Sequence, residues 1–111
     1  MDSLTRDRDV IEGILSRIAA EGYSRGQISD QAVFDRDRDH YLLVTQGWDR
    51  DRRIHHVLVH LQIIDGKIWI QYDGIEYGIA QDLLDAGIPK DRIVLGFKSP
   101  ELRKHSGFAV A

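Results

Sequence analysis

Two periodicities divide the chain. Over residues 3–21 the apolar positions Leu4, Ile11, Ile14, Leu15 and Ile18 recur at spacings of three, four and seven. Such positions stack on one side of a 3.6-residue helix. Asp2 or Ser3 is placed to cap its first N–H groups. Gly22 stands where a left-handed C-terminal cap is common. A one-sided apolar stripe must be buried, against a sheet face or a second copy of the chain. After a Gly/Ser loop at 22–27 the period shortens to two. Residues 28–34, 40–48 and 54–64 read as strands separated by the polar turns 35–39 and 49–53. In the longest, Val57, Val59, Leu61 and Ile63 form the expected core face, while Leu58, His60, Gln62 and Ile64 share the other. Asp65-Gly66 then precedes an alternating run at 67–72. An Asp-Gly between two such runs is a strong hairpin signal, because a type I′ turn needs positive φ at both central residues.

The period lengthens again after the strands. Ile75, Ile79 and Leu83, flanked by Ala80 and Leu84, form a second helical stripe. Asp73 and Glu76 have capping-box spacing, and Gly87 and Pro89 end the segment. Ile93, Val94, Leu95 and Phe97 read as a short buried strand or turn. Ser99-Pro100-Glu101 opens a last helix, Pro being suited to the first helical position. The apolar tail Phe108-Ala109-Val110-Ala111 is expected to dock into the core or a neighbouring subunit. The predicted fold is α+β: an N-terminal helix, an antiparallel meander of three to four strands, then a C-terminal helical segment and short tail. With 111 residues and no linker or repeat, one domain over 1–111 is expected.

Composition narrows the function classes. There is no cysteine, which excludes disulfides, thiolate nucleophiles and Cys-bound zinc and fits a cytoplasmic protein. No apolar stretch approaches the ~20 residues that span a bilayer, and no signal-peptide core is present. Net charge is −3, unlike the strongly basic domains that grip nucleic acid alone. Residues 90–111 carry five basic against two acidic side chains, too small an excess to argue counterion release.

Candidate chemistry is sparse. Residues 35–39 open like a calcium loop, but its sixth and twelfth positions are His40 and Gln46, where Gly and a carboxylate are required. The Arg-Asp runs read instead as solvated turns with local ion pairs. His56 and His60 are four apart, but on a strand that is about 13 Å, too far for one ion. No nucleophile elbow, phosphate loop or dinucleotide fingerprint occurs. Trp48, Trp69 and Tyr72 suit packing or an interface better than a stacking platform. No catalytic residue, metal or cofactor is expected, and the protein reads as a non-enzyme with an interaction face.

Tyr41-Leu42-Leu43-Val44 with Gly47-Trp48, Arg53-Ile54-His55, His60, the stretch Asp65-Gly66-Lys67-Ile68-Trp69-Ile70-Gln71, Asp73-Gly74 with Glu76, Gly78-Ile79-Ala80, Ala86-Gly87-Ile88-Pro89-Lys90, Ile93-Val94-Leu95-Gly96-Phe97, Arg103-Lys104-His105 and the tail from Gly107 closely resemble the cyanobacterial XisI family. These are the fdxN element excision controlling factors. The N-terminal helix and Val33-Phe34-Asp35 extend the resemblance over essentially the whole chain. It implies an accessory protein, without catalytic residues, in programmed DNA excision during heterocyst differentiation. A site-specific recombinase supplies the strand-cleaving nucleophile there, and an XisH-like protein is the implied partner. The candidate interaction surface comprises His56, His60, Trp69, Gln71, Arg103, Lys104, Phe108 and Val110, in a homo-oligomer acting through protein contacts. Two alternatives are an inhibitor or antitoxin-like partner of an XisH-like nuclease, and direct DNA binding through Arg50, Arg52, Arg53, Arg103 and Lys104.

Overall fold

The structure, a computed structural model, describes residues 2–22 and 27–111. The expected loop at 22–27 falls largely outside the described residues. Helix α1 (Ser3–Glu21) starts where Asp2 accepts the Thr5 N–H at 2.7 Å. Four strands follow: β1 (Gln27–Asp35), β2 (His40–Asp49), β3 (Arg52–Ile64) and β4 (Lys67–Asp73). Each pairs antiparallel with the next. Asp65 and Gly66 both take positive φ (49° and 77°), as a type I′ turn demands. Helix α2 (Ile79–Asp85) then leads through a 3-10 turn (Lys90–Arg92) into β5 (Ile93–Leu95), and helix α3 (Pro100–Arg103) closes the chain. The architecture is the expected α+β, with one addition. β5 pairs parallel with β4, giving a five-stranded sheet in the order β1-β2-β3-β4-β5.

Helices α1 and α2 cover one side of this sheet. Ile11, Ile14, Leu15 and Ile18 of α1, with Ile79 and Leu83 of α2, pack in one core with Tyr41, Leu43, Val59, Leu61, Ile63, Ile68 and Ile70. Leu4, at the start of the expected stripe, is exposed.

A bulge corrects the expected face of β3. Leu43 opposes Val59 but Val44 opposes Val57, so Leu58 is the extra residue. Leu58 packs against the core beside Val59, and its carbonyl accepts the Gly74 N–H at 2.7 Å. Parity reverses ahead of it, as a bulge requires. Val57 therefore leaves the core face and is exposed.

Helix α2 also begins later than its spacing predicts. Asp73 accepts from the N–H of Ile75 at 3.0 Å and of Ile79 at 2.9 Å. One carboxylate thus holds a connecting turn and the helix start together, and Glu76 is exposed rather than completing a capping box. Ser99 caps α3, as expected. In the tail, Phe108 packs against the core and the Ala109 N–H donates to the Ile93 carbonyl at 2.9 Å.

Candidate functional site

The side of the sheet away from α1 and α2 is open over β1–β3, while at β4–β5 Arg103 of α3 lies over Trp69 and the neighbouring Val94 is fully buried. On β1–β3, cross-strand pairs on this outer face are Val33 with Leu42, Asp35 with His40, Leu42 with His60, Val44 with Val57, and Gln46 with His55. Val33 is 49% exposed, Val57 37%, Trp48 46% and Tyr72 52%. Apolar side chains therefore occupy the centre of a face exposed to water.

Histidines flank that centre. His40 Nδ1 and His60 Nε2 lie 2.9 Å apart, so one ring nitrogen donates to the other. Burial of His60, with His40 beside it, lowers its pKa below the ordinary histidine value. Gln71 donates to the Gln62 side chain at 3.1 Å. A second bulge, at Gln71, brings Tyr72 opposite His60. At the β4 border Arg103 lies over the Trp69 ring, 4.9 Å from its centroid, and its Nε donates to the Lys98 carbonyl at 3.0 Å. At the opposite end Arg53 lies over Trp48 at 5.4 Å.

The expected surface residues divide. His60, Trp69, Gln71 and Arg103 are brought together at one end of the open face. His56 is not among them. It opposes the buried Thr45, so the Leu58 bulge turns it to the helix side and sends His55 to the open side, reversing the simple alternation. Lys104 is exposed and pairs with Glu101 at 3.2 Å. Phe108 is half-buried, with Lys90 over its ring, while Val110 is exposed. Sequence reasoning missed His40, Leu42, Val44 and Val57. The unbroken apolar run from Tyr41 to Val44 was the available signal, since strands covered on one face alternate.

The five basic residues suggested for DNA contact also separate. Arg50, Arg52 and Arg53 lie at the β2–β3 turn, while Arg103 stacks on Trp69 and Lys104 pairs with Glu101. Trp69 opposes Gln62, nine residues along β3 from Arg53, about 30 Å at strand rise.

Two carboxylates of the residues 35–39 run, Asp35 and Asp39, are occupied by protein partners. Asp35 accepts the N–H of Arg38, pairs with the Arg38 guanidinium at 3.2 Å and accepts the N–H of Asp37, which together hold its carboxyl below the usual range. Asp39 pairs with Arg8 at 2.8 Å and accepts from the Tyr41 hydroxyl at 2.7 Å. Among the described residues no three His, Asp or Glu side chains form a metal-binding group. No helix among them is long and apolar enough to cross a membrane.

The family described as XisI protein matches residues 1–110. The chain belongs to the XisI family. Two solved structures agree along their whole length. An XisI-like protein from Anabaena variabilis ATCC 29413 superposes with a TM-score of 0.89 at 30% identity, covering 97% of this chain and 99% of that one. The fdxN element excision controlling factor XisI from the same strain superposes with a TM-score of 0.82 at 37% identity, covering 99% and 100%. No curated protein matches. The helix–meander–helix order and the added β5 are thus the XisI arrangement.

Proposed function

We propose that this XisI-family chain is a non-enzymatic regulator of site-specific DNA excision, acting through contacts with other proteins. The observation that carries this reading is the full-length match, at 37% identity, to an fdxN element excision controlling factor. The open face, with apolar residues at its centre and aromatic–arginine stacks at two corners, supports a contact role. Such patches on a soluble surface mark interaction sites, and aromatic and arginine side chains are enriched at them. The implied partners are an XisH-like protein and, through it, a recombinase complex acting on the fdxN element in differentiating heterocysts.

Co-expression tests the reading. The chain co-purifies with an XisH-like protein in a defined ratio, and its deletion changes the yield of excised element in a recombinase-bearing cell. Absence of any complex, together with unchanged excision, sinks it. Toxicity of the XisH-like protein alone, relieved by this chain, would select the inhibitor form instead.

A further inference from the structure

From the geometry of the open face we infer that it is the contact surface for a second copy of this chain, packed sheet against sheet. The claim concerns the chain alone and does not depend on the excision reading. Strand β2 is its first support. Tyr41 and Leu43 are fully buried against the helices, while Leu42 and Val44 point the other way. Strands with apolar residues on both faces belong to sheets covered on both sides. The chain's own helices cover one.

Charge favours a like partner. In a two-fold contact, residues near the axis meet their own equivalents, so a charge there repels itself. The outer face of β2 carries His40, Leu42, Val44, Gln46 and Trp48, with no carboxylate, lysine or arginine among them. Charged groups stand at the borders: Arg53 over Trp48 at one end, and at the other Asp35, which already pairs with Arg38 at 3.2 Å, and Arg103. One row crosses the sheet from Asp35 through His40 and Gln62 to Trp69, where Arg103 is stacked. A two-fold axis lying in the face along the strands, between β2 and β3, carries β1 of one copy over β4 of the other. The carboxylate at one end of the row then faces the guanidinium at the other end, twice.

Area is sufficient. Strands β1–β3, with 9, 10 and 13 residues and about 4.8 Å apart, present about 500 Å² in projection. Corrugated by side chains, that approaches the ~800 Å² per partner of a stable complex. Packed sheets lie about 10 Å apart, which the medium-sized Leu42, Val44, Val33 and Val57 suit.

Sedimentation and light scattering of the purified chain test the inference. The wild type is expected at twice 12.7 kDa. Val44→Asp, which places two carboxylates near the axis, weakens association by at least about thirty-fold. Val33→Lys, at a position exposed enough to keep the fold intact, does the same, with circular dichroism and thermal melting unchanged in the dilute monomer. Tyr77→Ser, on the helix side, leaves the dimer intact. A wild type that stays monomeric up to about 100 μM, far above the affinities usual for interfaces of this size, overturns the inference. So does a dimer that survives both sheet substitutions, or one broken by Tyr77→Ser.

Discussion

Replacing Arg92 should cost more than replacing the carboxylate it holds. Asp7 lies on α1 and is 1% exposed. It accepts from Arg92 Nη2, which belongs to the turn leading into β5. Arg92 also donates twice to the Gly66 carbonyl, at 3.2 and 3.1 Å, and keeps 30% of its side chain in water. In Asp7→Ala the guanidinium retains Gly66 and solvent, so the loss is that of one charged hydrogen bond, about 1.5–3 kcal/mol. In Arg92→Ala the carboxylate is left buried without its cation. Removing one partner of a buried pair costs about 3–5 kcal/mol. A domain of this size loses about 4 °C of melting temperature per kcal/mol. Arg92→Ala should therefore melt about 12–20 °C below wild type, and Asp7→Ala about 6–12 °C below. Thermal melts of both single variants and the double variant measure this. Equal losses, or a coupling below about 0.5 kcal/mol, would refute it.

Gly47→Ala should release β1, since an added Cβ would stand 1.9 Å from the Gln27 carbonyl oxygen at a backbone φ of +148°. The loss exceeds the ~0.4–1 kcal/mol scale of benign glycine changes, and an unchanged melting temperature would disprove the β1–β2 register. Leu61→Ala, at a fully buried position of β3, should cost about 3 kcal/mol in urea unfolding; under 1 kcal/mol would show that this strand is not central. His60 makes the fold acid-sensitive. Its folded pKa lies below the unfolded value, chiefly through burial. The unfolded chain therefore takes up the proton first, and stability falls as pH drops below about 6.5, levelling off below the folded pKa. The titratable and charged groups facing this cluster are His40 on β2, Tyr72 on β4, and Asp35 across from His40. His60→Gln should flatten the slope between pH 7 and 5, and an identical slope in that variant would count against the assignment.

Local signals were readable wherever one residue type answers one backbone demand. Asp65-Gly66 announced its turn and Ser99-Pro100 its helix start, because φ and capping are settled within a few residues. The buried positions of α1 followed from period alone, Leu4 excepted. Bulges were not readable. Nothing in Val57-Leu58-Val59 distinguishes regular alternation from one extra residue. The difference arises from the Gly74 N–H bonded to the Leu58 carbonyl, a contact made sixteen residues later in the chain. His56 was misplaced for that reason, and His55 with it. The parallel pairing of β5 was equally hidden, since three apolar residues carry no direction. The XisI resemblance reached family and fold but brought no site residues, so the surface had to come from the assembled sheet.

The Arg-Asp runs explain why the open face carries so little charge. They are not merely solvated turns with local pairs. Arg8 of the first run reaches Asp39 of the second, and Arg36 of the second reaches back to Asp9 at 2.7 Å and Glu12 at 2.6 Å. Two stretches roughly thirty residues apart in sequence thus interlock and clamp α1 over the β1–β2 turn. Arg17 adds a tie to Asp82 of α2 at 2.9 Å. Each exposed pair contributes little alone, and salt screens it. Together they set where charge can be. The dense ionic network is concentrated on the helix side, joining elements that already pack through Ile11, Leu15, Tyr41 and Leu43. The other side keeps its borders charged and its centre apolar. Pairing the first two runs with each other keeps their charges on the helix side, and it leaves the apolar centre of the other face free to meet another surface.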